Sequence, residues 1–157
     1  MANEHDDAPA MQLPAPDPAL KRLDRYVGSW AMSGRTLGSD EDNIVGTTTF
    51  EWLPGGFFLQ QRLSMSFMGM PIESLEIIGY EPELERFSSR VYTNLVGMAL
   101  PYNWDVGDGD LKIWTDTAEF EGRFDADGNR FSGGWRPKRG FEDLPGNTPY
   151  DIAGTRA

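Results

Sequence analysis

The chain has 157 residues, of which 14 are basic and 25 acidic, giving a net charge of −11, and it contains no cysteine. That length suits one compact domain, so any site must share a single core, and the acidic balance repels phosphate backbones and anionic lipid, which excludes nucleic acid and membrane as expected partners. Lack of cysteine removes disulfides, thiolate metal sites and thiol nucleophiles, while 39% apolar and 12% aromatic residues are too many for a disordered chain.

Residues 1–16 are rich in Ala, Pro, Asp and Met without a period and read as a flexible N-terminal arm ahead of a single domain over 17–157. The opening MANEHDDAPA lacks the basic and apolar regions of a secretion signal, so a cytoplasmic location is expected. Asp17 followed by Pro18 is a helix start, an oxygen that caps free amides and then a ring pre-set for the first turn. Leu20, Leu23 and Val27 would share one face and Gly28 suits the exit, which predicts a short amphipathic helix over 18–27.

From Trp30 onward the period changes to two. Extended stretches separated by Gly, Pro, Asn and Asp are predicted at 29–37, 44–53, 57–68, 71–80, 86–94, 97–106, 110–117, 118–125, 130–137 and 148–156. The clearest alternation sets Phe57, Leu59, Gln61, Leu63, Met65 and Phe67 inward, against a wet face of Phe58, Gln60, Arg62, Ser64 and Ser66. Met98, Leu100, Tyr102, Trp104 and Val106 form a second such row, and Ala118, Phe120, Gly122 and Phe124 a third. Short turns between successive strands predict an all-β, about ten-stranded antiparallel up-and-down barrel, because closure removes exposed strand edges.

Three segments then carry a resemblance: Val27-Gly28-Ser29-Trp30 after the helix, Glu51-Trp52-Leu53-Pro54-Gly55-Gly56-Phe57-Phe58-Leu59-Gln60, and Ile77-Ile78-Gly79-Tyr80-Glu81-Pro82. In this order they resemble the DUF1579 family of lipocalin-like, or calycin-like, proteins, over about residues 20–140. The resemblance implies a barrel closed at one end by the N-terminal helix, and it implies no known reaction. The Gly-x-Trp start is also similar to the calycin signature, in which the indole packs beneath a basic side chain from the last strand. Arg156 occupies the matching place over Trp30, and a guanidinium over an indole is attractive in its own right.

The single histidine, His5, sits in the arm, so the barrel is expected to hold no imidazole for general-base, zinc or haem chemistry. Ser-His-Asp catalysis is excluded on the same ground, as is the histidine-ligated haem of the nitrobindins, which the chain otherwise resembles in size and opening motif. No metal and no cofactor are expected. Gly107-Asp108-Gly109 reads as a hairpin tip rather than a nucleotide loop. Asp125, Asp127 and Asn129 have calcium-loop spacing, but Arg130 and Arg136 stand where Gly and Glu are needed, so this is a turn.

What remains is the interior. Phe57, Gln61, Leu63, Met65, Phe67, Met98, Leu100, Tyr102, Trp104, Phe120, Phe124 and Trp135 would line a cavity for a small apolar molecule, or fill a core. Gln61 and Tyr102 are the polar handles of that lining. Glu73 alternates with Leu75 and Ile77, and Glu76 with Ile72, Ser74, Ile78 and Tyr80, so one of these carboxylates would point inward and serve as a general base with Tyr102. Either Ser88, Arg90 and Tyr92 or Phe87, Ser89 and Val91 form the inner face of their strand; an inward Arg90 would favour a carboxylate ligand. Three readings follow: a binding protein, a cofactor-independent acid–base enzyme such as a cyclase or isomerase, and a filled barrel that forms a homodimer through an outward patch at Trp52, Leu53 and Trp114.

Overall fold

The computed structural model describes residues 12–157. Ten antiparallel strands form a closed barrel: β1 (Gly28–Thr36), β2 (Ile44–Trp52), β3 (Leu59–Phe67), β4 (Met70–Glu81), β5 (Arg86–Thr93), β6 (Leu100–Val106), β7 (Asp110–Trp114), β8 (Ala118–Phe124), β9 (Arg130–Pro137) and β10 (Tyr150–Arg156). Each strand pairs with its sequence neighbours, and β1 pairs with β10 to shut the seam. No edge is left for another chain to extend.

Among the described residues one helix precedes the barrel, at Pro18–Tyr26, and it is 3₁₀ rather than α. Asp17 caps it, its carboxylate accepting from the Ala19 amide at 2.9 Å. Leu20, Leu23 and Tyr26 are its buried residues. They recur every third position, and a 3₁₀ helix has three residues per turn, so all three fall on one face. That face plugs the barrel end, which explains why Tyr26 rather than Val27 is the innermost apolar contact. Tyr26 meets Phe124 edge-on with 4.9 Å between ring centres, and it also packs on Phe50, Trp104 and Phe131. Outside the plug, Arg22 donates to the Val106 carbonyl at 3.0 Å and Trp52 donates to Asp24 at 2.9 Å. Trp52 packs against the core as well, which takes it out of the outward patch expected with Leu53 and Trp114.

Trp30 is buried beneath the plug, and its indole N–H donates to the Tyr26 carbonyl at 2.9 Å. Arg156 faces it in register across the β1–β10 seam, with the guanidinium carbon 4.3 Å from the indole centre. The same guanidinium donates to the carbonyls of Val27 at 2.7 Å and Arg25 at 2.8 Å, two groups left free where the helix ends.

Alternation then fixes which side chains fill the interior. On β8 and β9 the inward partners Gly122 and Gly133 leave room for the stacked rings of Phe120 and Phe131, whose centres are 5.9 Å apart. A methyl group at Gly133 would collide with Phe120 and with the backbone of β8. The Asp125–Arg130 segment is a β8–β9 turn, in which the Asp125 carboxylate accepts from the amides of Asn129 at 3.1 Å and Arg130 at 3.3 Å. No described helix is long and apolar enough to cross a membrane.

Candidate functional site

The inward side chains differ in how far they are covered. Next to the plug, Leu59, Ile78, Phe87, Trp104 and Val106 are all 2% exposed or less, so this half is filled. Further along the same strands, Gln61, Leu63, Met65 and Phe67 on β3, Ile72 and Ser74 on β4, and Leu100 and Tyr102 on β6 keep part of their surface uncovered. The half away from the helix thus holds partly uncovered side chains on β3, β4 and β6, although Ile44, which pairs with Phe67 there, is 1% exposed. Its rim carries exposed apolar side chains at Leu37, Met68, Met70, Leu95, Val96, Met98, Phe141 and Leu144.

At the boundary between the two halves lies a polar cluster. Glu76 projects inward from β4, opposite Gln61 on β3 and Val91 on β5. One carboxylate oxygen, Oε2, accepts from Ser89 Oγ at 2.6 Å and from Trp104 Nε1 at 3.0 Å. The other, Oε1, receives no hydrogen bond from the described residues. Gln61 Nε2 donates to Thr48 Oγ1 at 2.9 Å, and Thr48 in turn donates to the Arg62 carbonyl at 3.0 Å. Tyr102 pairs in register with Ser89, and its ring lies 5.7 Å from that of Trp135.

Burial dominates the electrostatics here. It pushes the Glu76 carboxyl up to about 7, because the ionised form loses its hydration, and the bonds from Ser89 and Trp104 offset only part of that. The Tyr102 phenol is pushed up to about 12, first by burial and then by the negative charge of Glu76. Tyr150 is raised further, by burial and by its proximity to Tyr102. A carboxyl pushed up toward neutrality thus stands within electrostatic reach of the Tyr102 phenol, and Tyr102 of Tyr150, both of which stay protonated. Such a group can accept a hydrogen bond or a proton.

The other sequence-predicted residues sort by register. Glu73 points outward, accepting from Ser64 at 2.7 Å, so the inward carboxylate is Glu76. Phe87, Ser89 and Val91 form the inner face of β5, and Arg90 and Tyr92 are exposed on the outside, which removes Arg90 as an interior anion site. Met98 does not line the interior. It precedes β6, in a 94–99 connection whose residues are exposed, and is itself 70% exposed. Phe57 also lies before its strand, in a hollow of about 360 Å³ beside the helix with Leu20, Phe58 and Tyr80. A second hollow, of about 480 Å³, spreads over the outer surface around Arg62, Glu73, Leu75 and Tyr92, so neither is the barrel centre. Leu63, Met65, Phe67, Leu100, Trp104, Phe120, Phe124 and Trp135 all fall on inward positions. Ser89, Thr48 and Tyr150 complete the polar cluster without having been singled out; the signal available for Ser89 was its alternation with Phe87 and Val91. His5 lies outside the described residues. Among the described residues no group of three or more His, Cys, Asp or Glu is placed to hold a metal ion.

Comparison with known proteins agrees with this architecture. Residues 15–130 match the family described as "Protein of unknown function (DUF1579)". The crystal structure of Rv2717c from M. tuberculosis is similar in fold, with a TM-score of 0.58 at 12% identity, over 90% of this chain and 99% of that one. No curated protein matches the chain.

Proposed function

Because the chain belongs to the DUF1579 family, whose description assigns no activity, we propose a function from its interior: the barrel binds a small, mostly apolar molecule through the end opposite the helix. The observation that carries this reading is the polar cluster around Glu76, beside the partly uncovered inward side chains of β3, β4 and β6. A buried carboxylate without a cationic partner is costly in a core whose only purpose is stability, and its free Oε1, which is not sealed from solvent, is open to a partner that a ligand supplies. Apolar surface for the rest of the ligand comes from Leu63, Met65, Phe67, Leu100, Phe120 and Trp135. Met65 and its neighbours would shift to admit it, and an unbranched thioether repacks at small cost. No metal or cofactor enters this reading, and the acidic surface disfavours nucleic acid.

A titration with N-phenyl-1-naphthylamine, which fluoresces in apolar surroundings, tests it. Saturable binding that weakens severalfold in Gln61→Leu and Tyr102→Phe, with both variants still folded, supports the interior site. Absence of saturable binding, together with native mass spectra of freshly purified protein free of any small molecule, would remove it.

The enzyme reading is favoured by one observation, the Glu76 carboxyl near 7 beside the Tyr102 phenol near 12. In that case Glu76 takes a proton from a bound carbon acid or hydroxyl and Tyr102 donates to the developing oxyanion. Glu76→Gln would then retain the ligand yet stop its conversion, which mass spectrometry of the recovered molecule detects.

A further inference from the structure

The inward positions of the ten strands carry two charged side chains, Glu76 and Arg156. Arg156 is committed at the plugged end, stacked on Trp30 and bonded to carbonyls. Glu76 has no cationic partner among the described residues: its neighbours are Ser89, Trp104, Gln61, Tyr102 and Val91. Its Oε1 takes no hydrogen bond from them and is not sealed from solvent, although the residue as a whole is 8% exposed. Aromatic side chains lie nearby: Trp104 bonds to it through its indole N–H, Tyr102 feels its charge, and Trp135 lies against Tyr102. A lone buried carboxylate among aromatic rings has the composition of a site for a cation. A carboxylate-bearing ligand would meet like charge instead, and with Arg90 on the outer surface no inward guanidinium offsets it near Glu76.

Resting on the interior-binding reading, we infer that the ligand is an amine: an apolar body whose protonated nitrogen donates to Glu76 Oε1 between the rings of Tyr102 and Trp104. An ammonium supplies the missing counter-charge and hydrogen-bond donor together, and the apolar lining covers its hydrocarbon.

Three probes that share one tail decide the matter: decylamine, decanol and decanoate, each displacing N-phenyl-1-naphthylamine at about pH 8, where Glu76 is ionised. Decylamine should compete roughly tenfold or more better than decanol, and decanoate worse than both. In Glu76→Gln the amine and the alcohol should come to parity while the dye still binds. Should that variant fail to fold, the wild type carries the same information, because lowering the pH to about 5 protonates Glu76 and must erase the amine preference. The groups facing Glu76 do not confuse that titration: Ser89, Trp104, Gln61 and Val91 do not ionise in this range, Tyr102 and Tyr150 remain protonated, and the alkylamine stays charged throughout. Dye binding without amine preference, or a preference that survives in Glu76→Gln, overturns this inference and leaves the binding reading standing. If neither dye nor any probe binds, the binding reading falls and takes the inference with it.

Discussion

Ser89 Oγ stands 2.6 Å from Glu76 Oε2, a bond across the β4–β5 pair that holds the carboxylate in one orientation and leaves its second oxygen without a donor from the described residues. Trp104 approaches the same oxygen from β6. Two donors on two strands therefore set the direction of one acceptor, and each can be removed separately.

Removal of either should move the titration of Glu76. Both bonds favour the ionised form, so Ser89→Ala and Trp104→Phe should each raise the carboxyl above its present value of about 7. Carbon-detected NMR of the Glu76 carboxyl against pH measures the shift, and a midpoint that falls in either variant would contradict the arrangement.

Stability should fall as pH rises through the window between the ordinary value of 4.5 and about 7. In that window the unfolded chain has released the Glu76 proton and the native chain has kept it, so the unfolded state binds fewer protons and gains relative to the native one. The contribution is on the order of 3 kcal/mol once both states are ionised. Glu76→Gln cannot titrate, so its melting temperature should lie closer to the wild type near pH 4 and rise above it near pH 8. Parallel profiles for the two proteins would show that Glu76 does not titrate in the fold as described.

At the plugged end, Arg156→Ala removes a cation–π contact and three charge-assisted hydrogen bonds, to Val27, Arg25 and, more weakly at 3.4 Å, Gly128. A loss of about 2 to 4 kcal/mol is expected. For a chain of this length that lowers the melting temperature by roughly 4 to 15 °C. Arg156→Lys keeps the charge without the planar fork, and it should recover only part of the difference.

Gly133→Ala tests the close approach of β8 and β9. The added methyl group would sit on Phe120 and on the neighbouring backbone, where little can give way. Overpacking of this kind costs about 1 to 3 kcal/mol. Calorimetry should show the drop, and a tolerated substitution would mean that the two strands are further apart than described.

Period-two alternation made the barrel legible, since a strand with one wet face shows its register in the sequence. It failed where both faces were apolar. On β4, Leu75 and Ile77 stand outside while Ile72 and Ile78 stand inside, so Glu73 and Glu76 were equivalent until the pairing with β3 and β5 separated them. Alternation also ran past the end of β6 and carried Met98 inward, although Gly97 and an exposed connection end the ladder earlier. The helix type was hidden because Leu20 and Leu23 fit both a 3.0 and a 3.6 period, and Tyr26 alone distinguishes them. The bonds of Ser89 and Trp104 to Glu76 join three strands, and contacts between side chains on different strands leave no local signal.

The seam between the first and last strands has a consequence for how the chain is made. Arg156 reaches back 129 positions to Val27, so the closing contacts cannot form until β10 itself has been made and has left the ribosome. Until then β1 is an edge without its final partner, and the helix has only part of a rim on which to seat. Neighbouring hairpins can form as each is made, but the circle itself waits for β10 and closes at the end of a search governed by the most distant contacts in the barrel.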